Sequence, residues 1–125
     1  MIHLDTSFLI LGLVRDSRQS GLLRQWLEEG EPLGISAIGW AEFLCGPVGD
    51  SEARMAARFL GDPVAFGAED AASSAALFNR SGRRRGSLVD CMIAAIALRD
   101  GAVLATANPT DFRRLEPEGL SLLVV

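Results

Sequence analysis

The sequence MIHLDTSFLI, residues 1–10, decides the fold, because an apolar stretch within it is followed directly by an acid and two hydroxyl residues. Its first four residues predict a short strand, and Asp5 follows that strand directly. Thr6 and Ser7 then supply hydroxyl groups that can cap a helix, which we expect to extend to about Val14. A strand that leads straight into a helix is the unit from which α/β domains are built.

The rest of the chain repeats this alternation of short apolar strands and helices, with Gly and Pro at several boundaries. Further strands are predicted at residues 33–35, 63–66, 102–106 and 120–125. Helices are predicted at residues 18–29, 36–45, 50–60, 68–80 and 88–100, with a short helical turn at 111–115. We therefore expect a single α/β domain over residues 1–125, with a central, mainly parallel sheet flanked by helices. In such sheets the functional site lies outside the carboxyl ends of the strands.

The amino-acid composition excludes several classes of chemistry. Lysine and tyrosine are absent, and all 12 basic residues are arginine. Without lysine the chain has no P-loop phosphate site, no Schiff base and no lysine general base. The net charge of −4 provides no overall basic surface for nucleic acid. A local basic patch can still bind a nucleic acid, so this class of ligand remains open.

The two cysteines, Cys45 and Cys91, indicate a reducing compartment. Both lie in apolar, helix-like stretches without CxxC spacing, and both are predicted to be reduced residues of the core. The first 16 residues lack the basic start and the small-residue cleavage site of a leader peptide. No apolar run approaches the ~20 residues that a membrane span requires. We therefore expect a cytoplasmic protein that does not insert into a membrane.

Three carboxylates, Asp5, Glu42 and Asp90, each stand alone in a segment that is otherwise apolar. Burying a lone carboxylate costs several kcal/mol unless it is paired, hydrogen-bonded or bound to a metal. Three such residues in one small chain call for a common explanation. Convergence around divalent cations is the simplest one, because cations offset both the mutual repulsion and the desolvation.

Each acid also has a structural alternative. Asp5 can cap the helix that follows the first strand, and Glu42 can be a buried structural carboxylate on an apolar helix face. Ser87 and Asp90 have the spacing of a capping box, in which the acid occupies the third helical position. A further acid, Asp111, lies near the start of a helical turn, where the helix dipole favours negative charge. Capping and metal binding are compatible roles, so these alternatives do not exclude a site.

Four motifs make the chain recognisable, and they occur in order over essentially its whole length. They are LDTS at 4–7, AEFLCG at 41–46, LVDCMIAA at 88–95 and ATANPTDF at 105–112. Together they resemble the PIN-domain ribonucleases, and in particular the VapC-type toxins of toxin–antitoxin pairs. The resemblance implies a parallel sheet flanked by helices, dependence on Mg²⁺ or Mn²⁺, and endonucleolytic cleavage of RNA. It further implies a homodimer and a small antitoxin protein that covers the active-site groove.

Carried over residue by residue, Asp5, Glu42 and Asp90 match the acids that hold the metal and activate water. Thr6 matches the hydroxyl residue that supports the first acid. Carboxylates suit hard Mg²⁺ or Mn²⁺ ions, whereas one histidine and two dispersed cysteines do not favour a zinc site.

The fourth acidic position departs from the family pattern. Many relatives have an aspartate where Asn108 stands, and Asp111 matches the acid of the following Asp-Phe pair. We prefer Asp111 as the source of charge, with Asn108 as a neutral oxygen ligand or a group that orients water.

The run Arg83, Arg84, Arg85 is the one concentrated basic patch in the chain. It precedes Asp90 closely, which suggests a clamp on the phosphate backbone of RNA, although a solvated loop that favours solubility is the alternative.

Two other functions are compatible with parts of the sequence. An aspartate-nucleophile phosphatase would use Asp5, but it would need a second acid where Ser7 stands and a lysine that the chain lacks. A non-catalytic binding module with the same fold would not need Asp5, Glu42 and Asp90 together.

Overall fold

In the computed structural model, which describes residues 1–125, four strands form a single parallel sheet. The strands are β1 (Ile2–Leu4), β2 (Leu33–Gly34), β3 (Val103–Thr106) and β4 (Ser121–Val124). Their order across the sheet is β2-β1-β3-β4, and every neighbouring pair is parallel. Ile2 of β1 lies opposite Leu33 on one side and opposite Val103 on the other. The parallel α/β architecture expected from the alternation of strands and helices is confirmed.

Six helices and two short 3-10 segments connect and cover the strands. They are α1 (Thr6–Gly12), α2 (Arg18–Glu29), α3 (Ala37–Cys45), α4 (Asp50–Leu60), α5 (Ala68–Arg80) and α6 (Leu88–Arg99), followed by 3-10 segments at Pro109–Asp111 and Arg113–Glu118. Side-chain caps define where three of the helices begin. Asp5, Ser17 and Ser36 each accept a hydrogen bond from a backbone N–H in the first turn of α1, α2 and α3.

The core consists of two apolar clusters, one on each face of the sheet. Neighbouring residues of β3 belong to different clusters, because side chains alternate across a strand: Leu104 packs with Cys91 and Ala94 of α6, and Ala105 packs with Leu4 and Phe8. The cluster that contains Ala105 includes residues of helices α1, α2 and α4. The cluster that contains Leu104 includes residues of α5 and α6. This double cover explains why the strands are apolar rather than strictly alternating in polarity. No helix is long and apolar enough to cross a membrane.

The strand predicted at residues 63–66 is wrong. This segment contributes one isolated parallel bridge, in which Val64 pairs with Ser36 beyond the end of β2. Val64 donates to Ile35 O and accepts from Ala37 N, both at 2.8 Å. Pro63 has no N–H group to extend the pairing, and α5 already begins at Ala68, so the segment is too short to form a strand.

The prediction that both cysteines lie in the core is right for Cys91 and wrong for Cys45. Cys91 is fully buried in α6, whereas Cys45 is exposed, and both are free thiols. Cys45 is the last residue of α3 and lies on its solvent side with Leu44, which is 51% exposed. An apolar run predicted burial here, but only one side of α3 packs against the rest of the protein.

Candidate active site

The candidate site lies at the carboxyl ends of β1 and β3, in the middle of the sheet. From β1 the chain crosses to β2 on one side, and it later returns to β3 on the other side. Such a reversal of strand order opens a crevice at the ends of the two central strands, where α/β proteins bind ligands. Asp5 directly follows β1, and Thr106 is the last residue of β3.

Asp5 is held in one orientation by three hydrogen bonds. Its Oδ1 atom accepts from Phe8 N at 2.8 Å and from Ser7 Oγ at 2.7 Å, and its Oδ2 atom accepts from Thr106 Oγ1 at 2.7 Å. The side chain thus caps α1 and also lies at the crevice, so the structural and functional interpretations of Asp5 hold together. Asp5 is 4% exposed, which leaves its carboxylate at the floor of the site.

The two hydroxyl groups that hold Asp5 also fix the chain beyond β3. Ser7 Oγ accepts from Ala107 N at 3.1 Å, and Thr106 Oγ1 accepts from Asn108 N at 2.9 Å. From the sequence, Ser7 was expected only to offer a hydroxyl that caps a helix, and no role was predicted for Thr106. The position of Thr106 at the end of an apolar strand was the available signal, since parallel strands bring their carboxyl ends to the same edge.

Glu42 approaches the site from α3 and is supported by Thr6. The Thr6 Oγ1 atom lies 3.2 Å from Glu42 Oε1 and 3.0 Å from Gly39 O, so its single proton is shared between two acceptors. The resemblance assigned this hydroxyl to the support of Asp5, but in the structure Thr6 supports the second acid, and Ser7 and Thr106 support the first. Glu42 lies on the exposed side of α3, so it is not a structural acid buried on an apolar face.

Asp90 lies in the first turn of α6 and accepts no hydrogen bond from a protein group. The capping box predicted with Ser87 does not form: Ser87 Oγ accepts no hydrogen bond from the first turn of α6, and it donates to Arg84 O at 2.6 Å. The nearest cation is Arg114, whose Nη2 atom is 3.9 Å from Asp90 Oδ2. Burial, reinforced by the negative charge of Asp111, raises the pKa of Asp90 to about 6.

Asp111 and Asn108 form one unit rather than two alternatives. Asn108 Nδ2 donates to Asp111 Oδ2 at 2.8 Å, while Asn108 Oδ1 accepts from Thr110 Oγ1 at 2.8 Å. Asn108 therefore holds the carboxylate of Asp111 at the end of the first 3-10 segment. This hydrogen bond is compatible with the preference for Asp111 as the source of charge.

The four acids share one electrostatic environment. Burial raises the pKa of Asp5 against the three hydrogen bonds that lower it, and the charge of Asp111 raises it further. Partial burial likewise raises the pKa of Glu42, with smaller contributions from Asp5 and Asp111. Each of the three raised values has a contribution from at least one other acid of the group. The carboxylates therefore repel one another at this end of the sheet, and a cation among them would stabilise all of them.

The donor set is chemically suited to a hard cation, since all four ligand candidates are carboxylates. In the present side-chain orientations, no three Asp, Glu, His or Cys residues are close enough together to hold one ion. Asp90 is free of hydrogen bonds and can change its rotamer at little cost, whereas Asp5 is fixed. Binding of an ion by three carboxylates therefore requires the side chains around Asp5 to turn toward it.

The three arginines of the basic run do not act as one group. Arg83 is bound to α5, because its Nη1 atom donates to Asn79 Oδ1 at 2.6 Å and its guanidinium lies 5.8 Å from the centre of the Phe78 ring. Arg84 and Arg85 instead line a small polar cavity of about 70 Å³ beside the acids. The other residues that line this cavity are Gly86, Ser87, Asp90, Asp111 and Arg114. The sequence did not single out Arg114, because nothing local distinguishes it from Arg113.

The PIN domain family matches residues 2–116. No curated protein sequence matches the chain.

Several solved structures of toxin–antitoxin proteins resemble this chain. One is the VapBC2 complex of Rickettsia felis bound to a promoter DNA fragment, with 22% identity, a TM-score of 0.80, and coverage of 100% of this chain and 99% of that chain. A second is a toxin–antitoxin complex from Klebsiella pneumoniae, with 28% identity, a TM-score of 0.67 and coverage of 90% of each chain. A third is a VapC toxin of Mycobacterium tuberculosis that cleaves the sarcin–ricin loop, with 20% identity, a TM-score of 0.60, and coverage of 86% and 88%.

These similarities agree with the parallel α/β fold described above. The family match extends over nearly the whole sequence, from the first strand to the second 3-10 segment. The chain therefore belongs to the PIN domain family.

Proposed function

We propose that this protein is a metal-dependent endoribonuclease and the toxin of a toxin–antitoxin pair. The observation that carries the proposal is the gathering of Asp5, Glu42, Asp90 and Asp111 where β1 and β3 end. The pKa values of Asp5, Glu42 and Asp90 are raised, and carboxylates with raised pKa values that lie in a crevice are typical of functional sites. Membership of the PIN domain family and the similarity to a toxin that cleaves the sarcin–ricin loop support RNA as the substrate.

Mg²⁺ or Mn²⁺ is the proposed cofactor, with Asp5, Glu42, Asp90 and Asp111 as its ligands. A bound ion of this kind supplies Lewis-acid stabilisation of phosphate charge and lowers the pKa of water, which makes water a competent nucleophile near neutral pH. Zinc is disfavoured because the chain has one histidine, His3, and that histidine is not available as a ligand. Its side chain is buried on the opposite face of β1 from Leu4, and its Nε2 atom lies 3.1 Å from Asp100 Oδ2.

The protein's own groups prepare the site for this reaction. The hydroxyls of Ser7 and Thr106 keep the carboxylate of Asp5 facing the crevice, and Thr6 holds Glu42 near it. A rigid first ligand reduces the reorganisation that is needed when the substrate binds. Arg84 and Arg85 provide positive charge beside the acids, which favours the approach of an RNA backbone.

The decisive experiment measures cleavage of labelled RNA by purified protein with Mn²⁺, with Mg²⁺ and with a chelator. We expect internal cuts that need either metal and that disappear in the Asp5→Asn variant. A matched control is Asp62→Asn, since Asp62 is an exposed acid in the loop after α4. Absence of cleavage of both structured and single-stranded RNA, or equal cleavage by Asp5→Asn and wild type, would contradict the proposal.

The proposed partners are a cognate antitoxin and a second copy of this chain. The similar structures from Rickettsia felis and Klebsiella pneumoniae are toxin–antitoxin complexes, which supports the first. The chain also exposes apolar side chains around a groove of about 570 Å³ between α1, α2 and α4, including Val14, Leu27 and Met55. Exposed apolar surface of this kind is typical of protein interfaces.

Two measurements test these partners. Light scattering of the isolated chain should show a dimer at micromolar concentration. Co-expression with the proposed antitoxin, sought as a small gene next to this one in the genome, should yield a stable complex without ribonuclease activity. A monomer that copurifies with no neighbour and does not arrest growth on induction would argue for a free-standing nuclease instead of a toxin.

A further inference from the structure

Arg114 carries a guanidinium group whose hydrogen-bonding capacity is not used by the protein. Its Nε, Nη1 and Nη2 atoms are all shielded from solvent, and none of them has a hydrogen-bond partner. The closest acidic atom, Asp90 Oδ2, is 3.9 Å from Nη2, which exceeds hydrogen-bond distance. A guanidinium has five N–H donors, and buried polar groups in folded proteins nearly always have partners. An acceptor from outside the chain can therefore pair with these donors once the Arg114 side chain turns toward the cavity that it lines.

The cavity that Arg114 lines is suited to an anion. Its volume of about 70 Å³ is several times the roughly 10–15 Å³ that one water molecule requires. No apolar residue lines it, and its three arginines outnumber its two aspartates, Asp90 and Asp111, by one charge. The amino-terminal end of α6, at Ser87, also borders the cavity and carries no side-chain cap, so its positive dipole end faces the same space.

We propose that Arg114, together with Arg84 and Arg85, binds a phosphate group of the RNA backbone in this cavity. The inference rests on the proposed ribonuclease function and adds a residue and a subsite to it. Arginine matches a phosphate better than lysine does, because its planar fork donates two parallel hydrogen bonds. Because Asp90 and Asp111 line the same cavity, a phosphate bound here lies beside carboxylates that are proposed to hold the metal.

Arg113 provides a matched control, because it is the same residue type one position earlier. Its side chain is 59% exposed and lies 3.5 Å from Glu116, and it does not line the cavity. Replacing Arg113 by glutamine removes the same charge from the protein as replacing Arg114. Any difference between the two variants therefore reports the position of the guanidinium and not net charge.

The test measures binding of a labelled single-stranded RNA to Asp5→Asn protein in metal-free buffer, over a series of salt concentrations. Adding Arg114→Gln should weaken binding about tenfold to a hundredfold, the range expected for loss of hydrogen bonds to a charged group. It should also reduce the slope of log affinity against log salt by about 0.7, the value for one phosphate contact on a single strand. Adding Arg113→Gln should change the affinity less than twofold.

A second measurement follows Arg114 without altering it. In ¹⁵N NMR spectra of the Asp5→Asn protein, the Nε–H signal of Arg114 should shift as RNA is added, while that of Arg113 should not. Thermal unfolding of each variant establishes that it is folded. If Arg114→Gln is folded but binds RNA as tightly as its parent, or if the Arg114 signal does not move, Arg114 is a structural counterion of Asp90 and the inference is overturned.

These outcomes are separate from those that test the proposed function. RNA binding that depends on Arg114, without metal-dependent cleavage by the wild type, would leave the phosphate subsite intact and refute the nuclease. Cleavage by the wild type, with RNA binding indifferent to Arg114, would refute the subsite and leave the nuclease intact.

Discussion

The site has two halves, one around Asp5 and one around Asp90 and Arg114, and they differ in how many hydrogen bonds the protein makes to the acid. Asp5 is 4% exposed and accepts three hydrogen bonds from fixed donors. The side chain of Asp90 is 21% exposed and accepts none, and its neighbour Arg114 has no acceptor either. The first half is complete in the protein alone, whereas the second contains unpaired groups of both signs. This difference suggests that the fold positions one ligand in advance and leaves the other half to be completed by metal and phosphate.

The elements that carry each half explain the difference. Asp5 lies between a central strand and a helix, where register and helix capping determine its backbone and its side chain. In the second half only Asp90 lies on a regular helix, α6; Asp111 and Arg114 lie on short 3-10 segments, and Arg84 and Arg85 on a loop. Gly82 and Gly86, both with positive φ, bound that loop and let it turn tightly into α6. Such segments have few constraints and can adjust when a ligand binds.

The largest expected losses of cleavage follow when a proposed metal ligand is neutralised, and Asp5 in the first half is one such ligand. Asp5→Asn should reduce cleavage by about a thousandfold or more, because a charged ligand is lost where charge develops in the reaction. The protein should remain folded, since the amide oxygen can still accept from Phe8 N and the amide nitrogen can donate to Thr106 Oγ1. Steady-state cleavage rates and circular dichroism measure the two properties.

Asp5→Ala is the informative companion, because it removes the cap as well as the charge. Loss of an N-cap costs about 1 kcal/mol, with a range of about 0.5–2. We expect Asp5→Ala to unfold at a lower denaturant concentration than Asp5→Asn does. Equal stability of the two variants would mean that the three hydrogen bonds of Asp5 do not stabilise the fold.

A smaller loss is expected for Thr106→Val, which keeps the shape of a fully buried side chain and removes its hydroxyl. Thr106 Oγ1 donates to Asp5 Oδ2 and accepts from Asn108 N, so valine leaves two partners unsatisfied. The free energy of unfolding should fall by about 1–3 kcal/mol, and cleavage should fall with it because Asp5 is less well held. Urea unfolding measures the first effect.

Thr110→Val is the control for Thr106→Val, since Thr110 is exposed and its hydroxyl bonds only to Asn108 Oδ1. A comparable loss of stability in both variants would contradict a special role for Thr106.

The fold and the acids could be predicted from sequence because their signals are local. Short apolar runs, caps and breaks define the elements, and an acid isolated in an apolar segment is conspicuous without knowledge of the fold. Residues 63–66 were misassigned because pairing beyond Val64 depends on a neighbour across the sheet and not on composition. The exposure of Cys45 likewise depends on which side of α3 packs against α1 and α6.

The supporting residues of the site could not be predicted in the same way. The role of Thr106 follows from β3 lying next to β1, which is a property of strand order. Thr6 and Ser7 are adjacent hydroxyl residues, and only the direction of each side chain decides which acid it serves. Arg113 and Arg114 differ in the same way, one facing solvent and the other the cavity. Orientation of this kind is set by tertiary packing.

Asp90→Asn tests the incomplete half directly and should have an effect of opposite sign on stability. Burial and the charge of Asp111 disfavour the Asp90 carboxylate, and no hydrogen bond compensates. Neutralisation should therefore raise the free energy of unfolding in chelator-containing buffer, by up to about 1 kcal/mol, while abolishing cleavage. Urea unfolding with and without Mn²⁺ measures this, and the stabilisation that Mn²⁺ gives to the wild type should be reduced in the variant. Destabilisation of Asp90→Asn in chelator would show that Arg114 already satisfies Asp90, and the contrast between the halves would not hold.

The smallest effect is expected at Asn108, which acts on the site through Asp111. Asn108→Ala removes the hydrogen bond to Asp111 Oδ2, so the fourth carboxylate can adopt other rotamers. Because both side chains are near the surface, stability should change by less than about 0.5 kcal/mol, while cleavage falls severalfold at low metal concentration and recovers as metal is added. Asn79→Ala is the matched control, since Asn79 holds Arg83, which lies outside the cavity, in the same kind of exposed contact. If the cleavage rate depends on metal concentration in the same way in Asn108→Ala and in Asn79→Ala, then Asp111 needs no positioning. A loss that metal does not restore would instead mean that Asn108 orients water or substrate and does not act only through Asp111.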